Sequence, residues 1–158
     1  MNVPLTFSIP SKKDSDEWGT PDDLYKEICI MTGTKPRLDV AANAVNTKCD
    51  FYFADSLTSQ WVIGDHHYDV WCNAPGKKIA KFVQRAIDQW IRHNINIVML
   101  IPVNTITNKS FQLVWDLAMG EKVEIIPLFG IRPHFLWNNQ ESEYGSRNGY
   151  IVVHFKKW

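Results

Sequence analysis

The tetrapeptide Asn73-Ala74-Pro75-Gly76 follows the apolar stretch Val70-Trp71-Cys72 and opens directly onto a strongly periodic segment. That order reads as a buried strand stopping at a polar loop before a helix. In open α/β folds ligands sit in the loops beyond the carboxyl ends of the strands, which makes Asn73 the first residue to suspect of a functional role. The ordinary alternative is a strand-to-helix turn, since Asn, Pro and Gly all favour turns for reasons unrelated to function.

Other residues of suitable chemistry stand at comparable places. In Trp18-Gly19-Thr20-Pro21 the backbone donors and the indole can border a cofactor pocket. The structural reading of the same residues is a helix start, with Trp18 as a hydrophobic staple, Thr20 as the cap, Pro21 in the first position and Asp23 completing a capping box. Asp39 is acidic at the end of an otherwise apolar strand, where a carboxylate either engages a hydroxyl or amine of a nucleotide-like cofactor or caps backbone. In the first role it should be ionised and partly exposed before binding. Asp55, just beyond Phe51-Tyr52-Phe53, is a second candidate ligand-facing carboxylate. His66 and His67 are adjacent, and neighbours in an extended segment point to opposite sides, so they do not form a metal pair. Neither G-x-G-x-x-G nor G-x-x-x-x-G-K-[ST] occurs, so an adenosyl cofactor here would lack a pyrophosphate.

The elements that must carry these residues are legible in outline. A helix follows Pro21, with Leu24, Ile28 and Met31 on its apolar face, and Gly33 and Pro36 end it. Strands are expected at Arg37–Asn43, at Phe51-Tyr52-Phe53 with Tyr52 and Phe53 in the core, and at Asp69–Cys72. Ile79, Phe82, Val83, Ala86, Ile87, Trp90 and Ile91 share one face of a second helix. Asn96–Ile101 is nearly continuous apolar sequence, the mark of a strand buried on both faces, and Pro102-Val103-Asn104-Thr105 ends it. A third helix at Phe111–Ala118 and late strands at Lys122–Phe129 and Gly149–Phe155 complete the order. The alternation predicts a three-layer α/β fold with helices on both faces of a mostly parallel sheet, the late strand pair adding an antiparallel edge. Residues 1–16 form an N-terminal arm and 17–158 a single domain, in which the segment 133–149 is a candidate recognition loop or a surface flap.

Composition narrows the classes. A chain of 158 residues suits one domain and buries roughly 68–70% of its unfolded surface. With 45% hydrophobic and 22% charged residues it is not a disordered chain. Seventeen basic and seventeen acidic residues give zero formal charge, so any attraction to nucleic acid must come from a local basic patch. Cys29, Cys49 and Cys72 are widely spaced and odd in number, which argues against a disulfide framework or thiolate zinc site and suits a reducing cytoplasm. The longest apolar run, Ile95 to Val103, is interrupted by Asn96 and Pro102 and is about half a membrane span. No membrane partner is expected.

Taken together, Glu17-Trp18-Gly19-Thr20-Pro21, Leu38-Asp39-Val40-Ala41-Ala42, Asn46-Thr47-Lys48-Cys49 with Tyr52-Phe53, Cys72-Asn73-Ala74-Pro75-Gly76, Leu100 to Thr105 and Gly130-Ile131-Arg132 to Phe135 resemble the small phage and prophage DNA adenine methyltransferases of the Dam-like type. The resemblance covers most of the chain, and its specificity lies in the order and spacing of the pieces. It implies a Rossmann-like methyltransferase fold and S-adenosylmethionine-dependent methylation of the exocyclic amino group of adenine in DNA, in host cytoplasm for a phage-encoded chain. It also implies cofactor contacts from Trp18, Thr20, Pro21, Asp39 and Ala41, with Asp55 on the adenosyl part. Asn73, Ala74 and Pro75 then fall on the first three positions of the catalytic Asn-Pro-Pro-aromatic motif, and Trp71, Gly76, Asn104 and Trp137 on the substrate side.

The motif is degenerate at two positions, Ala74 for proline and Gly76 for the aromatic. The Asn oxygen and the next carbonyl can still orient the target amine so that its lone pair faces the methyl carbon. Gly76 cannot stack on a flipped base, an interaction of roughly 1–3 kcal/mol in single-stranded sites, so Trp71 or Trp137 becomes the candidate substitute. Extruding a base costs a few kcal/mol, and a neutral chain has little to offset it. A homodimer, a partner subunit or a single-stranded DNA substrate would ease that difficulty. The alternative reading is a catalytically degenerate nucleic-acid-binding or regulatory subunit that keeps the cofactor scaffold.

Overall fold

In the computed structural model, which describes residues 18–54, 56–137, 140–142 and 145–158, the apolar run after Asn96 becomes the centre of a sheet. Strands β1 (Leu38–Asp39), β2 (Phe51–Tyr52), β3 (Val70–Cys72), β4 (Ile97–Pro102), β5 (Val123–Pro127) and β8 (Tyr150–Phe155) form a six-stranded sheet in the order β2-β1-β3-β4-β8-β5. The pairs β2-β1, β1-β3 and β3-β4 are parallel, whereas β8 is antiparallel to both β4 and β5. Every strand except β8 therefore ends on the same edge. The late pair adds the expected antiparallel end of the sheet, with β5 outermost and, inside it, the reversed strand β8. Its own residues explain the position, since Ile151, Val153 and Phe155 face one side and Val152 the other and all are buried, as a central strand requires.

Helices cover both faces. Leu24 and Ile28 of α1 (Asp22–Thr32) pack with Trp71, Val98, Leu100 and Val152. On the other face, Phe82, Val83, Ala86 and Trp90 of α2 (Ile79–His93) and Val114 of α3 (Gln112–Met119) join Val70, Cys72, Ile97, Met99 and Ile101. The odd and even residues of β4 divide cleanly between these two clusters, as the two-residue strand period demands. Burying a large apolar side chain contributes roughly 1.5–3 kcal/mol, so either layer is a major part of the core.

Some expected packing differs. Met31, Tyr52 and Ile91 are 40%, 41% and 59% exposed, because α1 and α2 bury narrower stripes than their sequences permit and β2 is an edge strand. The buried face of α2 instead includes Gln89, whose Oε1 accepts the backbone N–H of the fully buried Trp61 at 2.7 Å. Gly33 ends α1 in the left-handed conformation, φ 62°, with its N–H and that of Thr34 returning to Ile30 and Cys29. The capping box does not form. Helix α1 begins at Asp22, Pro21 stands at the cap position, and Thr20 makes no cap bond.

The segment after β5 leaves the sheet as a small hairpin, β6 (Leu136–Trp137) paired with β7 (Gln140–Glu141), before returning as β8. Phe135 packs edge-on against Tyr150 at 5.1 Å, and Ser146 N–H bonds to Pro133 O at 2.9 Å. The expected loop 133–149 is thus tied to the domain at several points. The expected arm, 1–16, lies outside the described residues.

Candidate active site

Asn73 lies one residue beyond β3, and its Nδ2 donates to Thr20 Oγ1 at 3.1 Å. Thr20 is 1% exposed. Its own position is set by Gly19, which exchanges two backbone hydrogen bonds of 2.7 Å with Leu136 of β6. Only glycine suits that crossing comfortably, because a Cβ at residue 19 would stand 3.3 Å from Asn46 Cβ and 3.6 Å from Leu136 Cβ. The loop before α1, the loop after β3 and the hairpin after β5 therefore converge at the carboxyl edge of the sheet.

The Asn73 carboxamide has a definite polarity. With Nδ2 given to Thr20, Oδ1 is its remaining strong acceptor, and no described residue donates to it. Ala74 is buried against the α2 layer, and Pro75 is extended with φ −58° and ψ 135°. Pro75 O accepts Lys78 N–H at 2.9 Å, closing the 3-10 turn Gly76–Lys78 that leads into α2. Gly76 is exposed, and a Cβ there would meet nothing within 4 Å. The missing aromatic has left open space rather than a refilled site.

Asp39 corrects an expectation. The strand-end carboxylate is 2% exposed instead of partly exposed. Its Oδ1 accepts Ala41 N–H at 3.2 Å and its Oδ2 accepts Lys48 N–H at 3.0 Å. Burial pushes its pKa up to about 6, against the lowering effect of those two bonds. The carboxylate thus folds the loop after β1 onto itself, holding Ala41, which is half-buried, against the segment at Lys48. Asp55 lies outside the described residues.

The tryptophans separate by environment. Trp71 is 1% exposed and meets Tyr25 edge-on at 5.0 Å, so it belongs to the core beneath the edge and presents no stacking face. That overturns its assignment to the substrate side: an alternating strand points Trp71 toward α1 while Val70 and Cys72 face α2. Trp137 is half-buried at the end of β6, on the same hairpin that holds Gly19. Trp18 is half-buried, and its indole N–H is buried with no acceptor among the described residues. Pro21 O receives the first helical bond of α1, from Tyr25 N at 3.0 Å. Asn104 is exposed in the 3-10 turn Val103–Thr107 beyond β4, where Val103 N–H bonds to Gly149 O at 2.9 Å.

Two features were not legible beforehand. Lys48, with a side chain 7% exposed, reaches Asp22 at 2.6 Å and so joins the loop after β1 to the start of α1. This contact holds the Asp22 carboxyl below its usual range. The Thr20–Asn73 bond spans 53 positions, and a threonine before a helix is ordinarily read as a cap. Neither pair leaves a local signal.

The thiols are chemically quiet. Cys72, beside Asn73, is fully buried, and burial followed by the nearby Asp39 raises its pKa well above the ordinary value. Burial likewise pushes Cys49 up to about 12. Among the described residues no group of three His, Cys, Asp or Glu can hold a metal ion. The site offers acceptors and positioning in place of a nucleophile or a strong base.

Residues 8–158 match the DNA N-6-adenine-methyltransferase (Dam) family. The chain is also 31% identical over 147 residues, 91% of its length and 79% of the relative's, to a protein of Haemophilus phage HP1 (strain HP1c1) named DNA N-6-adenine-methyltransferase. With the Asn73 loop, the Thr20 loop and the Asp39 loop gathered at one sheet edge in a chain so matched along its length, the protein belongs to the DNA N-6-adenine-methyltransferase (Dam) family.

Proposed function

We propose that this chain methylates the exocyclic nitrogen of adenine in DNA, with S-adenosylmethionine as donor. The observation that carries the reading is the Asn73 carboxamide held by Thr20 at the carboxyl edge with Oδ1 left as an acceptor. Oδ1 accepts an N–H of the adenine amine, and the Ala74 carbonyl is the next acceptor along the chain. Holding both N–H groups fixes the amine and directs its lone pair along the reaction axis. A ring-carbon acceptor would call for an activated nucleophile, and Cys72 is held protonated.

Bound S-adenosylmethionine supplies an electrophilic methyl group. The residues present fit it, since the Trp18 indole is a buried donor with no partner among the described residues and calls for an acceptor such as a carboxylate. Trp18, Thr20, Pro21 and Ala41 are the residues proposed to hold the cofactor, and Asp39 acts by fixing the backbone around Ala41. Five co-directional strands with β8 reversed between β4 and β5 support a Rossmann-like methyltransferase scaffold. Asn104 and Trp137 remain the substrate-side candidates, the latter on a hairpin suited to recognition. No described helix is long and apolar enough to cross a membrane, which is compatible with work in a host cytoplasm.

The test is transfer of labelled methyl from S-adenosylmethionine into single- and double-stranded DNA, with N6-methyladenine identified by mass spectrometry. Asn73→Ala should lower transfer about 100-fold or more while keeping most cofactor affinity, as expected when a polar transition-state contact of roughly 3 kcal/mol is removed. Cofactor binding without transfer to any DNA would point instead to a regulatory subunit.

A further inference from the structure

The chain is neutral overall, yet its charge is not evenly spread. From Asn73 to Ile87 it carries Lys77, Lys78, Lys81 and Arg85 and no acidic residue, and from Pro102 to Trp115 it carries Lys109 and again no acidic residue. Arg85 is paired with Asp88, whereas the four lysines are exposed and have no ion pair among the described residues. Both segments start at the ends of neighbouring parallel strands, β3 and β4, and the turn Lys109–Phe111 packs against α2. The lysines thus flank the same sheet edge that holds Asn73.

The second segment itself forms a cleft of about 440 Å³ lined by Ile106, Thr107, Asn108, Lys109, Gln112 and Trp115. That volume falls in the roughly 300–1,000 Å³ range of ligand-binding clefts. Trp115, on α3, is 48% exposed. Solvent-facing indole, ammonium and carboxamide groups in one cleft match the chemistry of a nucleotide, in which a flat base adjoins a phosphate.

Resting on the reading of DNA as substrate, we propose that this cleft seats the strand beside the target adenine, with Trp115 stacking on an unpaired base and Lys77, Lys78, Lys81 and Lys109 neutralising phosphates. This local patch supplies the attraction that the net charge does not, and an exposed stacking face favours single-stranded over paired DNA.

Fluorescence anisotropy with an adenine-containing oligonucleotide, single-stranded and as duplex, tests it over a salt series. Lys109→Ala should weaken single-strand binding severalfold and lower the magnitude of the log-log salt slope by about 0.7. Trp115→Ala should weaken it about tenfold without changing that slope, and Trp115→Phe should restore most of the loss. Lys157→Ala, beyond β8 at the opposite edge, should bind as the parent does. Unchanged denaturation midpoints exclude misfolding, since all these side chains are solvent-facing. If Lys109→Ala and Trp115→Ala bind and methylate DNA like the parent, the cleft assignment is overturned and the methyltransferase reading stands. If the cleft variants lose DNA binding but the parent transfers no methyl group, the cleft stands and the catalytic reading falls. A parent that binds no DNA at low salt overturns both.

Discussion

Replacing Thr20 by valine keeps its shape and removes the acceptor of the Asn73 Nδ2 bond. A neutral hydrogen bond such as this, 3.1 Å long, contributes about 0.5–1.5 kcal/mol net. Losing it leaves the carboxamide free to rotate, and the rotated form offers an NH2 group to an amine that needs an acceptor. Equal occupancy of both orientations alone halves the productive population. Loss of positional order adds at most the net bond energy, about tenfold in rate. Thr20→Val should therefore lower kcat about 2- to 20-fold, well short of the loss in Asn73→Ala, and lower stability by about 1 kcal/mol. Thr20→Ser should retain kcat within about twofold. Methyl transfer from labelled donor gives the rates, and in an Asn73→Ala background Thr20→Val should cost nothing further, because the two residues act through one bond. An unchanged kcat with a raised KM for the cofactor, or an equal cost in both backgrounds, would refute the orienting role and leave Thr20 as a cofactor contact alone.

The remaining expectations concern the other loops. Asp39 has a folded pKa of about 6, above its ordinary 3.8, so the folded state binds the proton more tightly and this carboxyl adds stability as pH falls from about 6 toward 4, up to roughly 3 kcal/mol. In urea denaturation the parent should gain stability relative to Asp39→Asn as pH is lowered from 7 to 5; parallel curves would refute the buried ionised carboxylate. Trp18→Phe keeps the ring and removes the unpartnered N–H, and isothermal titration should show about 5- to 10-fold weaker S-adenosylmethionine binding with an unchanged unfolding midpoint. Gly76→Tyr enters open space, so its stability should stay within about 0.5 kcal/mol of the parent, and single-turnover assays should show improved adenine capture unless Trp137 already stacks there.

What could be read from the amino acids was mostly what repeats with a period or punctuates the chain. The stripe Phe82, Val83, Ala86, Trp90, the two-sided apolar run of β4 and the left-handed stop at Gly33 follow from local rules that act over a few residues. The candidate site was placed by the same means, since a polar loop after a buried strand must lie at its carboxyl end. Its internal connections were not legible. Asp39 was expected to be partly exposed in a ligand-facing role, whereas its carboxylate accepts two backbone N–H groups, the other role its position allowed. Trp71 was offered as a substitute stacking partner, but the strand period turns it toward α1, where burial against Tyr25 leaves it no free face.

The bonds that escaped the sequence reading are the ones that join separate loops. Gly19 to Leu136, Thr20 to Asn73, Asp39 to Lys48 and Lys48 to Asp22 each join separate segments of the chain. Such a lattice matters most where chemistry depends on aiming an acceptor, because a carboxamide acts through its direction and a free one averages over two. A site built from a base or a thiolate can tolerate that averaging better, since its strength resides in its pKa. Here Cys72 is held protonated and Asn73 does not titrate, so geometry is the resource left to the protein. The degenerate motif can then be weighed physically: Ala74 for proline and Gly76 for the aromatic change loop stiffness and base stacking, but neither removes the Thr20 contact that orients Asn73. The stacking lost at Gly76 has to come from another element at the same edge, and Trp115 in its basic cleft and Trp137 on the hairpin that clamps Gly19 are the exposed or half-buried aromatics placed to supply it.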